Sequence, residues 1–185
     1  MPESVPPPSE LAGLSLAEIA QAVAERRLPP VEQWNPPHCG DSHMRIARDG
    51  TWFHEGAPIR RSAMVRLFAG LLRREADGKY VLVTPVEMLD IVVEDAPFVA
   101  VEARSEGEGR DRRVAFRLNT DEPVVAGPGH KLQMVEGRPY LTVRAGLEAA
   151  IARPVYYELA ELALEEGADP AGLWSDGVFF PLVAP

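Results

Sequence analysis

The sequence has one cysteine, Cys39, and two lysines, Lys79 and Lys131. A lone thiol cannot close an intramolecular disulfide, which fits a reducing compartment. No apolar run approaches the roughly 20 residues of a membrane-spanning helix. Met1-Pro2-Glu3 also lacks the basic-then-apolar order of a secretory signal, so the expected location is cytoplasmic. Because lysine is so scarce, nearly all positive charge is arginine, a bias that GC-rich coding explains more simply than a selected binding surface. The net charge of -9 argues against nucleic acid or an anionic membrane as a general partner, because counterion release rewards clustered cations. The charge is unevenly spread. From Asp41 to Glu75 seven arginines face four acids, whereas Glu148 to Asp176 holds seven acids and Arg153 alone.

What is present suits a folded chain: 185 residues, 46% apolar and 25% charged, enough for one large domain or two small ones. After the prolines Pro6-Pro7-Pro8, Ser15 and Glu18 form a capping box ahead of Leu16, Ile19, Ala20 and Val23, which predicts a helix over Ser15 to Arg27. Pro29 to Gly40 carries four prolines and Trp34 and should be an extended, pinned arm. Asp49-Gly50 between Met44-Arg45-Ile46-Ala47 and Thr51-Trp52-Phe53-His54 predicts a hairpin. Met64, Val65, Leu67, Phe68, Leu71 and Leu72 make the stripe of an amphipathic helix over Ser62 to Arg74, followed by a strand at Tyr80 to Thr84. From Ile91 onward short strands alternate with glycine-containing turns. Arg144 to Glu166 is expected to be a helix split before Pro154, and Val178 to Leu182 a final strand.

These elements predict an α+β protein of two small modules of related design, each a twisted, mostly antiparallel sheet with a packed helix. The expected divisions are an N-terminal leader and helix at 1–28, an α+β module at 29–90 and a β-rich module at 91–185. Pro58-Ile59, a helix and Asp77-Gly78 are echoed by Pro154-Val155, a helix and Asp176-Gly177, a weak sign of duplication.

Several residue sets invite a chemical reading. His38, Cys39, Asp41, His43 and His54 are metal-ligand types, but their spacing fits no closed zinc site and Cys39 has no partner cysteine, so no metal is assigned. Cys39 lies in a proline-rich arm without evident oxyanion donors, which favours a packed residue over a nucleophile. Glu87, Asp90, Glu94 and Asp95 suit a cation or acid-base work, although a solvated edge is the plainer explanation. Arg60 and Arg61 at a helix entrance, flanked by Trp52 and His54, suit an anion pocket. Pairing of these arginines with the acidic C-terminal region accounts for them equally well. Gly127-Pro128-Gly129 is not a phosphate loop.

Pro29-Pro30-Val31, Trp34-Asn35-Pro36, Cys39-Gly40, Asp49-Gly50-x-Trp52 and Gly56-x-Pro58-Ile59 stand together with Tyr80-x-Leu82-Val83-Thr84-Pro85-x-Glu87 and Val93-Glu94-Asp95-x-Pro97-Phe98. Later come Asn119, His130, Val143-Arg144, Arg153-Pro154-Val155-Tyr156-Tyr157-Glu158-Leu159 and Ser175-Asp176-Gly177-x-Phe179-Phe180. This order resembles the bacterial domain-of-unknown-function 1285 family over nearly everything after Pro29. The resemblance implies a duplicated core, a C-terminal module superficially like pleckstrin-homology folds, a ligand pocket at the module interface, a nucleotide-like ligand and a signalling role. Fold likeness does not transmit function.

The function expected is therefore a non-catalytic ligand-binding or regulatory protein holding an anionic, nucleotide-like small molecule between its two modules, in signal transduction. Arg60, Arg61 and Arg144 would supply charge, and Trp52 or a tyrosine such as Tyr157 would stack. Thr84, Glu87 and Asn119 would orient the ligand, with His54 nearby. The alternatives are a metal-assisted enzyme and a protein-protein adaptor. No cofactor is identified, and a protein partner or homo-oligomer is left open.

Overall fold

The computed structural model describes residue 15 and residues 28–183. The helix expected over Ser15 to Arg27 lies outside the described residues. Contacts divide the chain into two compact units: a first of Arg27–Phe98 with Val143–Glu148, and a second built mainly of Val99–Thr142 and Ala149–Pro185.

The first unit is a six-stranded sheet made of β1 (His38–Ile46), β2 (Trp52–His54), β3 (Ala57–Pro58), β4 (Leu72–Arg74), β5 (Tyr80–Val83) and β6 (Glu87–Val93), in the order β3-β2-β1-β6-β5-β4. β1 and β6 run parallel, and the other neighbours in this sheet are antiparallel. The hairpin around Asp49-Gly50 forms as expected: Asp49 accepts the Thr51 amide at 2.9 Å and Gly50 takes φ 90°. Helix α1 (Ser62–Gly70) follows β3, and its Phe68 ring stacks on buried Trp52 at 6.3 Å between centroids.

The helix expected through Arg74 stops at Gly70. Leu72, Arg73 and Arg74 instead pair with Leu82, Val81 and Tyr80 as β4, so cross-strand pairing overrides helical propensity there. β6 continues to Val93, through the boundary expected at 90/91, because Ile91, Val92 and Val93 stay in register with Met44, Arg45 and Ile46.

The second sheet comprises β7 (Phe98–Glu106), β8 (Arg113–Leu118), β9 (Pro123–Val125), β10 (Leu132–Val135), β11 (Arg138–Arg144) and β12 (Leu147–Ile151), ordered β10-β11-β12-β7-β8-β9. Read from its other end this is the order of the first sheet: two three-stranded meanders, with the last strand of one beside the first strand of the other. The two modules are therefore alike in strand topology.

The helices do not match. α1 joins the third and fourth strands of its sheet, whereas α2 (Arg153–Glu166) follows the sixth strand of the other. The echo between Pro58-Ile59 and Pro154-Val155 thus aligns two different points of the fold. The helix expected from Arg144 also begins later. Arg144 to Ile151 is the β11–β12 hairpin, turned by Ala145 and Gly146 at φ 39° and 78°, and α2 starts at Arg153 with Pro154 in its first turn, where a missing N–H costs nothing.

A small hairpin, β13 (Gly172–Ser175) and β14 (Val178–Pro181), completes the second unit. Fully buried Ser175 fastens it: its hydroxyl donates to the Ala126 carbonyl at 2.7 Å and accepts the Val114 amide at 2.9 Å. Arg112 and Glu166 form a nearly buried ion pair at 2.7 Å that ties the end of α2 to the start of β8.

Two predictions follow from this packing. A Cβ at Gly172 would collide with the Phe180 carbonyl and lie 2.7 Å from the Phe179 ring. Gly172→Ala should therefore lower unfolding free energy by about 2–3 kcal/mol in urea titrations, with Gly129→Ala, which has open space, close to neutral. Glu94 accepts the Arg48 amide at 2.9 Å and pairs with Arg45, and these contacts hold its carboxyl below the usual glutamate range. A lowered folded pKa contributes stability above the unfolded value and loses it as pH falls through the folded one. Glu94→Gln should therefore flatten the loss of urea midpoint on going from about pH 5 to about pH 2.

Candidate functional site

The first unit contains a pocket of about 130 Å³, and every residue that lines it belongs to that unit. One wall is the proline arm, Leu28 to Glu32. Another is Gly70 and Leu72, at the end of α1 and in β4, and the third is the hairpin tip Arg144, Ala145 and Leu147. Each wall has a local cause. The arm makes one 3-10 turn at Val31–Gln33 and is held by Arg73, a buried guanidinium that donates to the carbonyls of Val31 at 2.8 Å and Trp34 at 2.7 Å. The tip turns at Ala145-Gly146, and Arg74 donates to the Gly146 carbonyl at 3.3 Å. Arg74 also lies over the Tyr80 ring, whose phenol burial pushes up in pKa against the opposing pull of that cation.

Among the described residues that line the pocket, Arg144 is the cation. Its Nη2 donates at 3.0 Å to the Ala69 carbonyl, in the last turn of α1, where a cation is favoured. Its guanidinium carbon sits 5.2 Å above the centroid of the Phe98 ring. The group is half-buried and oriented from two sides. Among the described residues that line it, Glu32, exposed, is the one acid, and the rest are mostly hydrocarbon.

The other expected site residues are placed differently. Trp52 is 1% exposed and packed against Phe68, so it offers no free face for stacking; its Nε1 has no hydrogen-bond partner among the described residues. Arg60 and Arg61 are exposed ahead of α1, where Arg61 is the N-cap, and neither lines the pocket. His54 is exposed at the end of β2.

Thr84 accepts the amides of Glu87 at 3.1 Å and Val86 at 3.3 Å, which makes it a turn-closing residue, with Glu87 opening β6. Asn119 belongs to the second unit, where its Oδ1 accepts the Val99 amide at 3.0 Å and its own amide donates to the Val99 carbonyl. Tyr157 is also in that unit and 58% exposed, while its neighbour Tyr156 reaches the Leu182 carbonyl. Arg144 alone of the expected set lines the pocket. Sequence reasoning missed its apolar walls, although Pro29-Pro30 and Leu72 were visible.

The histidine and acid residues around β1 do other work. His43 adopts φ 55° at a bulge between Asp41 and Met44, and its amide donates to Asp41 at 2.7 Å. Ser42 donates to the Asp90 carbonyl at 2.7 Å. No group of three or more His, Cys, Asp or Glu able to hold a metal occurs among the described residues. Also among them, no helix is long and apolar enough to cross a membrane. A groove of about 240 Å³ in the second unit is bordered by Glu158, Glu161 and Glu165, charges that would repel an anion.

Comparison with known proteins places these features in a wider set. A family model described as "Domain of unknown function (DUF1285), N-terminal domain" matches residues 29–96, and "Protein of unknown function (DUF1285), C-terminal domain" matches residues 97–182. The crystal structure of a DUF1285 family protein from Silicibacter pomeroyi DSS-3 is 45% identical over 90% of this chain and 94% of that one, with a TM-score of 0.79. A DUF1285 family protein from Shewanella baltica OS155 is 22% identical over 64% of this chain and 91% of that one, with a TM-score of 0.52, a likeness of fold alone. No curated protein matches the chain.

Proposed function

Because the chain belongs to the DUF1285 family, whose two domains are described as of unknown function, we propose a function from its own chemistry: a non-catalytic ligand-binding or regulatory protein that takes up an anionic small molecule beside Arg144. The observation that carries this reading is a guanidinium held in place at the wall of a mostly apolar pocket. A cation in partly desolvated surroundings gains more from an anion than one in open water, and a pre-oriented side chain loses little entropy on binding. Arg60 and Arg61, both exposed, would raise the local concentration of anions without touching a bound one. The nucleotide-like ligand and signalling role implied by the family resemblance are one branch of this reading, with a phosphate as the anion.

Calorimetric titration of the full chain with acetate, hexanoate, phosphate and AMP tests it. At least one should bind in the range of about micromolar to millimolar Kd, and Arg144→Gln should weaken that binding by about tenfold or more while circular dichroism stays unchanged. Binding that survives Arg144→Gln at full strength, or no binding by any of the four, would refute it.

A further inference from the structure

We infer that the groove of the second unit, where α2 lies against β7 and β8, docks a basic segment of a partner protein, with one or two bulky apolar side chains flanked by lysine or arginine. This inference is independent of the Arg144 pocket, since every residue that lines the groove belongs to the second unit.

The groove has an apolar floor and an acidic rim. Ala103 on β7 and Leu162 on α2, both half-buried, line it together with fully buried Val114 and Leu159. Its volume of about 240 Å³ exceeds the roughly 150 Å³ that encloses a benzene, which leaves room for one or two side chains of leucine or phenylalanine size. Glu158, Glu161 and Glu165, all exposed, follow one side of α2 at i, i+3 and i+7. A rise of about 1.5 Å per residue sets the first and last of them about 10 Å apart.

These three carboxylates have no ion-pair partner among the described residues. Glu166 shows the contrast: it accepts Arg112 Nε at 2.7 Å and the Gly109 amide at 3.2 Å. Arg112 also donates to the groove residue Ser105, so its charge is answered by Glu166 and not by the rim. Arg104, between Ala103 and Ser105 in the strand, points to the opposite face and pairs with Glu106 at 3.4 Å.

The apolar surface continues past the rim. Tyr157 and Leu164, seven residues apart on α2, are 58% and 74% exposed and make a second stripe beside Glu161. Acids set between a leucine-floored groove and exposed apolar side chains are complementary to a segment that carries the opposite charge around its own apolar anchors. A second copy of the chain fits this face badly, because it would bring the same acids, on a chain of net charge -9, against them.

The test uses three acetylated, amidated peptides on the full chain by calorimetry: Lys-Arg-Leu-Leu-Lys-Arg, Lys-Arg-Ser-Ser-Lys-Arg and Glu-Asp-Leu-Leu-Asp-Glu. The first should bind with a Kd of about 10 to 500 µM, the second at least about tenfold more weakly, and the third not at all. The double variant Glu158→Gln with Glu165→Gln should weaken the first by about fivefold or more. Glu55→Gln with Glu136→Gln, which removes the same charge from two exposed turns, should leave it unchanged. Equal weakening by the two double variants overturns the inference, since only net charge would be read. Equal binding of the leucine and serine peptides, or none by either, overturns it as well. A chain that sediments as a dimer and returns to monomer in Leu164→Ser would assign the face to a second copy and overturn it too.

Discussion

The pocket depends on a buried guanidinium that never enters it. Arg73 is 7% exposed, and a charge so removed from water is tolerable only when its donors are matched. They are: Nη1 reaches the carbonyls of Val31 and Trp34, Nε reaches Glu75 at 2.6 Å, and Nη2 approaches the Met88 sulfur at 3.4 Å. A segment with four prolines has few amides with which to join a sheet, so its carbonyls need donors from elsewhere. Arg73 supplies them. By satisfying the arm, it seats Val31 against Val81 and Val83 and fixes the wall from Leu28 to Glu32.

Duplication of the strand pattern, with the helix inserted at different places, changes what each module can offer. In the first unit α1 ends at Gly70, leaving a C-terminal carbonyl for Arg144 and a space beside Leu72. In the second unit α2 follows the sixth strand and borders a groove with Glu158, Glu161 and Glu165. The first unit therefore has a pocket with Arg144, at the β11–β12 tip, on its wall, and the second a groove walled by acids.

Much of the fold was legible in local patterns. Asp49-Gly50 with flanking alternation marked the β1–β2 hairpin, the apolar stripe from Met64 marked α1, and the aromatic run from Val178 marked β14. What escaped was set by distant partners. Leu147-Glu148-Ala149-Ala150-Ile151 is rich in helix formers, yet Ala145 and Gly146 in left-handed conformations turn it back along β11. Arg73 and Arg74 extended a helical pattern and became a strand once β5 was beside them.

The candidate site divides along the same line. An arginine, a tryptophan and an asparagine all advertise binding by residue type, but burial decides between ligand and core. Trp52 went to the core, Asn119 and Thr84 closed local bonds, and Arg144 kept a place on a pocket wall. No local spacing encodes that difference.

If Arg73 holds the arm, its removal should release the arm before the sheet. Hydrogen exchange of Arg73→Met against the unaltered chain measures this directly: the account predicts faster exchange at the Val31, Gln33 and Trp34 amides with Val81 and Val83 still protected. Unchanged protection of the arm amides would contradict it.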